Sequence, residues 1–457
     1  MQNETLISEP AIDESSETAL TSAPFPVGFV WGTATSAYQV EGAVHADGRG
    51  ESIWDRYCRR AGAIADGTAG DDACRHYERW ADDVALMADL DLPAYRFSIA
   101  WPRIVPNGRG VVNQRGLDFY DRLIDGLLAA GIEPYPTLYH WDLPQALEDR
   151  GGWPERSTAF AFAEYVEAVV GRLGDRVRHW TTLNEPYCSA HQGYVTGTMA
   201  PGRQSVADGF AAAHHLLLAH GLAVPRIRRA VPGASVGLVL NFEPAHPASA
   251  AEADVAAAAL EHGRYNRWYI EPVAGLGYPA DTMAALGWAG AEIHDGDLAL
   301  IAAPVDELGV NYYARQVVSA DPDAPPPPLG PRTAAGWEIY PDGLLELLRW
   351  LHASYRFPRY LVTENGAAMP DATDDHDYVD DQDRIDYVRD HLIAVRRAIA
   401  EGVPVEGYFV WSLLDNFEWA FGYARRFGLV RVDFETFERV PKASASWFAQ
   451  VARTGVL

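Results

Sequence analysis

The feature that most constrains this sequence is a repeated alternation. From about Phe25 onward, short runs of β-branched and aromatic residues are each followed by a longer segment whose apolar residues recur at three- and four-residue steps. The runs fall at 29–34, 94–99, 133–139, 177–183, 235–241, 307–312, 360–363 and 405–411. Between them, Trp80, Val84, Met87 and Ala88 form one helical stripe, and Tyr120, Leu123, Ile124, Leu127 and Leu128 a second. Ile385, Val388, Leu392, Val395 and Ile399 form a third. Stripes of this kind are core faces. Eight strand–helix units predict an α/β protein, a single (β/α)8 TIM barrel with extended βα loops. A doubly wound open sheet would leave edge strands and would carry a glycine fingerprint after its first strand. Here the first run leads into Gly32-Thr33-Ala34-Thr35-Ser36-Ala37, with no G-x-G-x-x-G.

The 457 residues would divide into about three domains of ~150, yet barrels of this class exceed ~400 residues as one unit. No internal repeat or linker interrupts the pattern. The first 23 residues carry five acids (Glu4, Glu9, Asp13, Glu14, Glu17), no base and no apolar core of a signal peptide. They are predicted to be a disordered tail over 1–23, ahead of one catalytic barrel over 24–457. The proline run 325–328 reads as a stiff surface loop rather than a ligand for a proline-recognition domain.

Charge and composition exclude several classes. Sixty-three acidic against 37 basic residues give a net charge of −26. A surface this negative repels phosphate backbones and anionic lipid, so neither nucleic acid nor a membrane is an expected partner. Only one basic residue is a lysine, Lys442, with no glycine-rich loop around it. That argues against a Schiff-base aldolase, a pyridoxal-phosphate enzyme and a Walker-A nucleotide site, each of which needs a positioned lysine. Cys58, Cys74 and Cys188 are too few and too scattered for a disulfide framework or a zinc site. Free thiols in odd number fit a reducing compartment, and a cytoplasmic location is expected.

In a barrel, chemistry gathers at the C-terminal ends of the strands. Polar and aromatic groups collect there: Arg96 near the second, His140-Trp141 at the third, Asn184-Glu185-Pro186 at the fourth, Asn311-Tyr312-Tyr313 at the sixth and Thr363-Glu364-Asn365-Gly366 at the seventh. Trp411 closes the eighth, with Asp415, Asn416, Glu418 and Trp419 soon after. A lone carboxylate at such a place could be a salt-bridge partner or a helix cap. Glu185 and Glu364, each beside an asparagine and closing an apolar run, are a different matter, because packing would put Val or Ile there. Two carboxylates facing each other across a pocket are the apparatus of glycoside hydrolysis. One must be protonated near neutral pH, which asks for a pKa raised by about two units, roughly 3 kcal/mol of differential environment. A neighbouring carboxylate supplies part of that, while an arginine such as Arg96 would keep the other ionised. The 14 tryptophans suit stacking on pyranose faces, although most must be core.

Other motifs give way. Gly233-Ala234-Ser235-Val236-Gly237 matches G-x-S-x-G, but that motif must follow a strand and precede a helix, whereas here the serine opens an apolar β-run. His214, His215 and His220 share one helical stretch without H-E-x-x-H spacing and read as core or solvated histidines. His140 could on spacing alone be a buried structural histidine. Cys188, three residues after Glu185, borders the pocket as an inert thiol.

Thr182-Leu183-Asn184-Glu185-Pro186 and Val362-Thr363-Glu364-Asn365-Gly366 resemble the two catalytic signatures of glycoside hydrolase family 1, the β-glucosidase family. The entry segment Phe29-Val30-Trp31-Gly32-Thr33-Ala34-Thr35-Ser36-Ala37-Tyr38-Gln39-Val40-Glu41-Gly42 is also similar to that family. So are Tyr95-Arg96-Phe97-Ser98, His140-Trp141-Asp142-Leu143-Pro144 and Trp411-Ser412-Leu413-Leu414-Asp415-Asn416-Phe417-Glu418-Trp419. They occur in the family's order and extend the resemblance from about Pro24 to about Val451.

The resemblance implies a retaining double displacement with Glu185 as acid/base and Glu364 as nucleophile, their carboxyl groups about 5–5.5 Å apart. Asn184 would hold the sugar 2-OH, and Arg96 and Tyr313 would orient Glu364. Gln39, His140, Trp141, Asn311, Glu418, Trp419 and Phe427 would meet the remaining sugar, with Trp411 as the platform below the ring. The implied substrate is a small-molecule or oligosaccharide β-D-glucoside. Because Glu418 can accept from either orientation of the 4-OH, β-galactosidase or β-fucosidase side activity is implied too. A carboxylate at Glu418 argues for unphosphorylated sugars, and Glu185 in place of glutamine argues against thioglucosides. No metal or cofactor is expected. A homo-oligomer is left open. Two alternatives remain: a lectin-like relative, which would lack one of the two glutamates, and a transglycosidase, which would keep both.

Overall fold

The computed structural model describes residues 23–324, 329–373 and 378–457. Apart from Ala23, the expected tail over 1–23 lies outside the described residues, as does the proline run 325–328. Eight parallel strands close on themselves: β1 (Val30–Ala34), β2 (Ala94–Ser98), β3 (Glu133–Thr137), β4 (His179–Asn184), β5 (Ser235–Phe242), β6 (Glu307–Tyr312), β7 (Tyr360–Asn365) and β8 (Val405–Trp411). Each strand pairs with its sequence neighbours, and β8 returns to β1 through Val30 opposite Gly407 to Ala34 opposite Trp411. The expected closed barrel is present. Around it run α1 (His76–Asp89), α2 (Gln114–Ala129), α3 (Ser157–Leu173), α4 (Val206–Ala230), α5 (Glu252–His262), α6 (Pro341–Ser354), α7 (Gln382–Ala400) and α8 (Ala443–Thr454).

The strands alternate their faces, as the two-residue period requires. On β8, Phe409 and Trp411 join Ala34, Ala94, Tyr135 and Leu361 in a cluster drawn from five strands, which fills the lumen. Tyr408 and Val410 belong instead to the large core shared by strands and helices. The three sequence stripes lie on α1, α2 and α7. Ser235 opens β5, which removes the hydrolase-like serine from any strand–helix turn. The α4 histidines are core groups: His214 lies 3.0 Å from both the Tyr278 hydroxyl and Asp297, His215 meets the Trp153 carbonyl, and His220 meets the Thr182 hydroxyl at 2.7 Å.

Some boundaries differ from expectation. β3 ends at Thr137 rather than 139, and β4 begins at His179 rather than 177. The chain past β3 still runs beside β4, with the Leu138 amide donating to Thr181 and the Asn184 amide to Tyr139. The β-like composition therefore persists after the regular ladder stops. β7 extends to Asn365, which puts Glu364 inside the strand. Two pairs of three-residue strands, Ala245–Pro247 with Gln316–Val318 and Val430–Val432 with Arg439–Pro441, are too short to leave a period in the sequence.

The one lysine anchors the closing side of the barrel. Lys442, immediately before α8 and fully buried, donates to Asp415 at 2.8 Å and to Asp371. Asp415 also accepts from Arg426 at 2.9 Å and from the Gly428 amide, and Arg384 of α7 holds Asp371 at 2.9 Å. This cluster ties the loop after β7 to the loop after β8. Removing one member of a buried ion cluster strands its partners without compensation. Lys442→Met should therefore lower unfolding stability by about 3–5 kcal/mol. Chemical denaturation should show this as a reduced midpoint at unchanged slope.

Candidate active site

Irregular backbone gathers where β4, β6 and β7 end. The β4–β5 ladder shifts register between Thr181 and Asn184, and the β6–β7 ladder between Val310 and Asn311. The β7–β8 ladder shifts between Tyr408 and Val410. Shifts of this kind re-aim side chains beside functional sites. Glu185 follows β4 with φ of 47°, Trp141 has φ of 78° and Trp419 of 49°. A non-glycine residue held in this region costs of order ~1–3 kcal/mol and persists only where the surroundings impose it. At Gly366 the demand is steric, since a Cβ there would lie 1.7 Å from the Trp411 carbonyl oxygen. Only glycine lets the end of β7 pass so close to the end of β8.

Arg96, on β2 and 1% exposed, sits at the centre. Its Nη1 donates to Glu364 Oε1 at 2.6 Å and its Nη2 to Asn184 Oδ1 at 2.6 Å. Tyr313 donates its hydroxyl to the other Glu364 oxygen at 2.7 Å. Asn311 bridges the two halves, with Nδ2 2.6 Å from Glu185 Oε1 and 3.2 Å from Asn184 Oδ1. Its own Oδ1 accepts from Thr363 at 2.7 Å. One hydrogen-bonded chain thus runs Glu364–Arg96–Asn184–Asn311–Glu185. Because Asn184 Oδ1 takes two donors, its amide nitrogen must face His140 Nε2, 3.1 Å away. Burial, with the Arg96 charge, holds the His140 pKa well below its usual value. The imidazole is therefore neutral, accepts at Nε2 and carries its proton on Nδ1.

The carboxyls differ in environment. Burial, then the charge of Glu364, pushes Glu185 well above the usual carboxylate range, against the hydrogen bonds of Asn311 and Cys188 and the Arg96 charge. Glu364 accepts from the Arg96 guanidinium on one oxygen and from the Tyr313 phenol on the other. Glu418 is pushed up to about 8, chiefly by burial, with Glu364 and Glu185 adding to it and hydrogen bonds from Trp411 and Gln39 opposing it. One carboxyl pushed toward its protonated form beside a second that accepts from a cation and a phenol is the unequal pair that acid-assisted displacement at a sugar carbon needs.

The other sequence candidates lie around this chain. Gln39 donates to Asn416 Oδ1 at 3.1 Å, to the Phe417 carbonyl at 2.9 Å and to Glu418 at 3.4 Å. Trp141 donates to the Asn184 carbonyl at 3.0 Å. The His140 ring stacks with Trp411 and with Trp419, both at 5.9 Å between centroids. Phe427 lies edge-on to Tyr313 and is 1% exposed, within the lumen cluster that also contains Trp411. Supports missed in the sequence include Trp54, 4.5 Å from the Trp419 ring, and Trp337, 5.3 Å from the Tyr313 ring. Trp54 belongs to a six-residue helix and Trp337 to a long segment without periodicity, so neither had a pattern to mark it.

Glu364→Gln should bring the pKa of both Glu185 and Glu418 down, because Glu364 raises each of them. Carboxyl-carbon NMR titration of the variant against the wild type reads this directly. An unmoved Glu185 would show that the Glu364 charge has no part in its proton affinity.

Comparison with known proteins places the chain. The family model for glycosyl hydrolase family 1 matches residues 21–456. "Beta-glucosidase A" of Thermotoga maritima is 44% identical over 440 residues, covering 95% of this chain and 98% of its own. The "Bifunctional beta-D-glucosidase/beta-D-fucosidase" of Bifidobacterium breve is 46% identical over 457 residues, covering 93% and 97%. The structure of the Thermotoga maritima beta-glucosidase in complex with glucoimidazole superposes with a TM-score of 0.92 at 44% identity, covering 95% of this chain and 100% of that one.

Proposed function

The chain belongs to glycosyl hydrolase family 1 and is a glycoside hydrolase, and from that premise we propose that it is a retaining β-glucosidase that releases terminal, non-reducing β-D-glucosyl residues through Glu185 and Glu364. The observation that carries the reading is the unequal pair of carboxyls joined through Arg96, Asn184 and Asn311. Burial and like charge favour the proton on Glu185, whereas Glu364 accepts from Arg96 on one oxygen and from Tyr313 on the other. Similarity to the Thermotoga and Bifidobacterium glucosidases supports the choice of sugar, and the second of these supports β-fucosidase side activity.

In the first step Glu185 gives its proton to the glycosidic oxygen while Glu364 attacks the anomeric carbon from the opposite face. The C–O bond to the aglycone breaks, an alcohol leaves, and an ester joins Glu364 to the sugar. The charge that raised Glu185 is then gone, so Glu185 ionises more readily and takes a proton from water. Water attacks the anomeric carbon, Glu364 departs as carboxylate, and the configuration is restored after two inversions. Asn184, held by Arg96 and Asn311, is the group suited to the sugar 2-OH. His140, Trp141, Gln39, Glu418 and Trp419 surround the remaining hydroxyls, over Trp411 as platform. Arg96 is the one cation among these residues, and it is engaged by Glu364 and Asn184. A phosphate dianion would find no free partner among them, which supports unphosphorylated sugars. Three buried, unpaired cysteines support a reducing, cytoplasmic setting.

Glu185→Gln should lower kcat/KM on an unactivated β-D-glucoside by about 10²–10⁴-fold, and Glu364→Gln should lower it further. Wild-type rates in either variant would remove that residue from the chemistry. Proton NMR of the wild type with an aryl β-D-glucoside should show β-glucose first. Early α-glucose would mean inversion, and the carboxyl roles would have to be redrawn.

A further inference from the structure

The second oxygen of Glu185 has a partner the mechanism above does not use. Cys188 begins a π-helical segment, Cys188–Thr196, and its Sγ lies 3.3 Å from Glu185 Oε2. A thiol can donate or accept, so its sense must be fixed by something else. Asn241, at the end of β5, supplies that. Its Nδ2 points at Cys188 Sγ from 3.6 Å and at the Tyr265 hydroxyl from 2.7 Å. Tyr265 in turn donates to Glu243 at 3.0 Å and belongs to the other π-helical segment, Gly263–Arg267. An amide nitrogen only donates, so Asn241 takes one sulfur lone pair and turns the S–H away from itself, toward Glu185. Asn311 meanwhile occupies Oε1 at 2.6 Å with another donor. The carbonyl oxygen of a carboxylic acid is its better acceptor, so the short Asn311 bond favours Oε1 as the carbonyl and Oε2, the oxygen the thiol touches, as the site of the proton.

We propose that Cys188, its thiol oriented by Asn241, is a positioning residue that sets the balance of Glu185 between proton donor and proton acceptor through the S–H···Oε2 contact. A thiol suits that place because it is a weak donor. It steadies the carboxylate required when water is activated, yet yields without large cost when Oε2 carries the proton needed for aglycone departure. A hydroxyl would favour the anion too strongly, and a methyl group would not favour it at all. Burial pushes the thiol well above its ordinary pKa, with Glu185 next, so it stays protonated as the role requires. The inference rests on the reading of Glu185 as acid/base.

The experiment is the pH profile of kcat/KM on phenyl β-D-glucoside, whose poor leaving group needs the acid, for wild type, Cys188→Ala, Cys188→Ser and Glu185→Gln. Activity falls above the pKa of the acid, and a donor to its anion lowers that pKa. The basic limb should therefore move to higher pH in Cys188→Ala and to lower pH in Cys188→Ser. Well above the wild-type limb, Cys188→Ala should exceed Cys188→Ser by about threefold or more, the effect of a half-unit separation. The charged and titratable groups facing Glu185, namely Glu364 on β7, Arg96 on β2, Glu418 beyond β8, Tyr313 beyond β6 and Tyr265, are unchanged in both. A purely packing role would lower rates without moving the limbs apart, so coincident limbs, or limbs displaced in the same direction, overturn the proposal. If Glu185→Gln keeps the wild-type rate and basic limb, the acid/base reading fails instead, whatever the cysteine variants do.

Discussion

The site depends on one buried guanidinium. An arginine without surface exposure is tolerable only where its charge is met and its donors are used. Arg96 has its charge met by the Glu364 carboxylate and both terminal nitrogens engaged, on Glu364 and on the Asn184 amide oxygen, so that only its Nε–H is without a partner among the described residues. Asn184, and through it His140 and Asn311, are oriented by that choice. Asn184 is locked with its nitrogen toward His140, which fixes the imidazole tautomer, and Asn311 is left to reach Glu185. Residues on β2, β4, β6 and β7, with His140 just beyond β3, are thereby coupled, and the low dielectric of the interior strengthens each link. A closed barrel is what allows it, because an open sheet would not bring β2 and β7 to the same few cubic ångströms.

The backbone concedes regularity to serve this network. A strict strand would send Asn184 and Glu185 to opposite faces. With φ of 47° at Glu185, both reach the same chain of hydrogen bonds. On β7 no such departure occurs: Glu364 faces Arg96, while Asn365 turns away to the Tyr312 carbonyl and the Tyr387 hydroxyl of α7. Two Asn–Glu neighbours that look alike in the sequence are therefore built differently. In one, both residues belong to the pocket; in the other, the asparagine pins the strand to the helix layer behind it.

That contrast shows what could be read in advance. The barrel was legible because eight apolar runs and their intervening stripes leave periods long enough to see. Glu185 and Glu364 stood out because a carboxylate closing a β-run has no packing reason to be there. The three-residue strands, the two π-helical segments and the contact of Cys188 with Glu185 were not legible, because each is set by tertiary contacts and none leaves a period in the sequence. Cys188 read as an inert thiol at the rim of the pocket; the structure keeps it buried and protonated but gives it a partner. The glycine of the second signature had no reason in the sequence either, until the end of β8 was seen lying against it.

Lys442 has a chemical consequence beyond stability. A glycoside hydrolase liberates sugar with a free anomeric carbon, and the open-chain aldehyde of such a sugar condenses with unprotonated lysine amines to form imines that mature into permanent adducts. Most enzymes present many lysines to whatever they release. This chain has a single one, fully buried and clasped by Asp415 and Asp371, while its surface cations are guanidiniums that stay protonated at any working pH. Its side-chain lysine chemistry is thereby closed to the aldehyde of its own product.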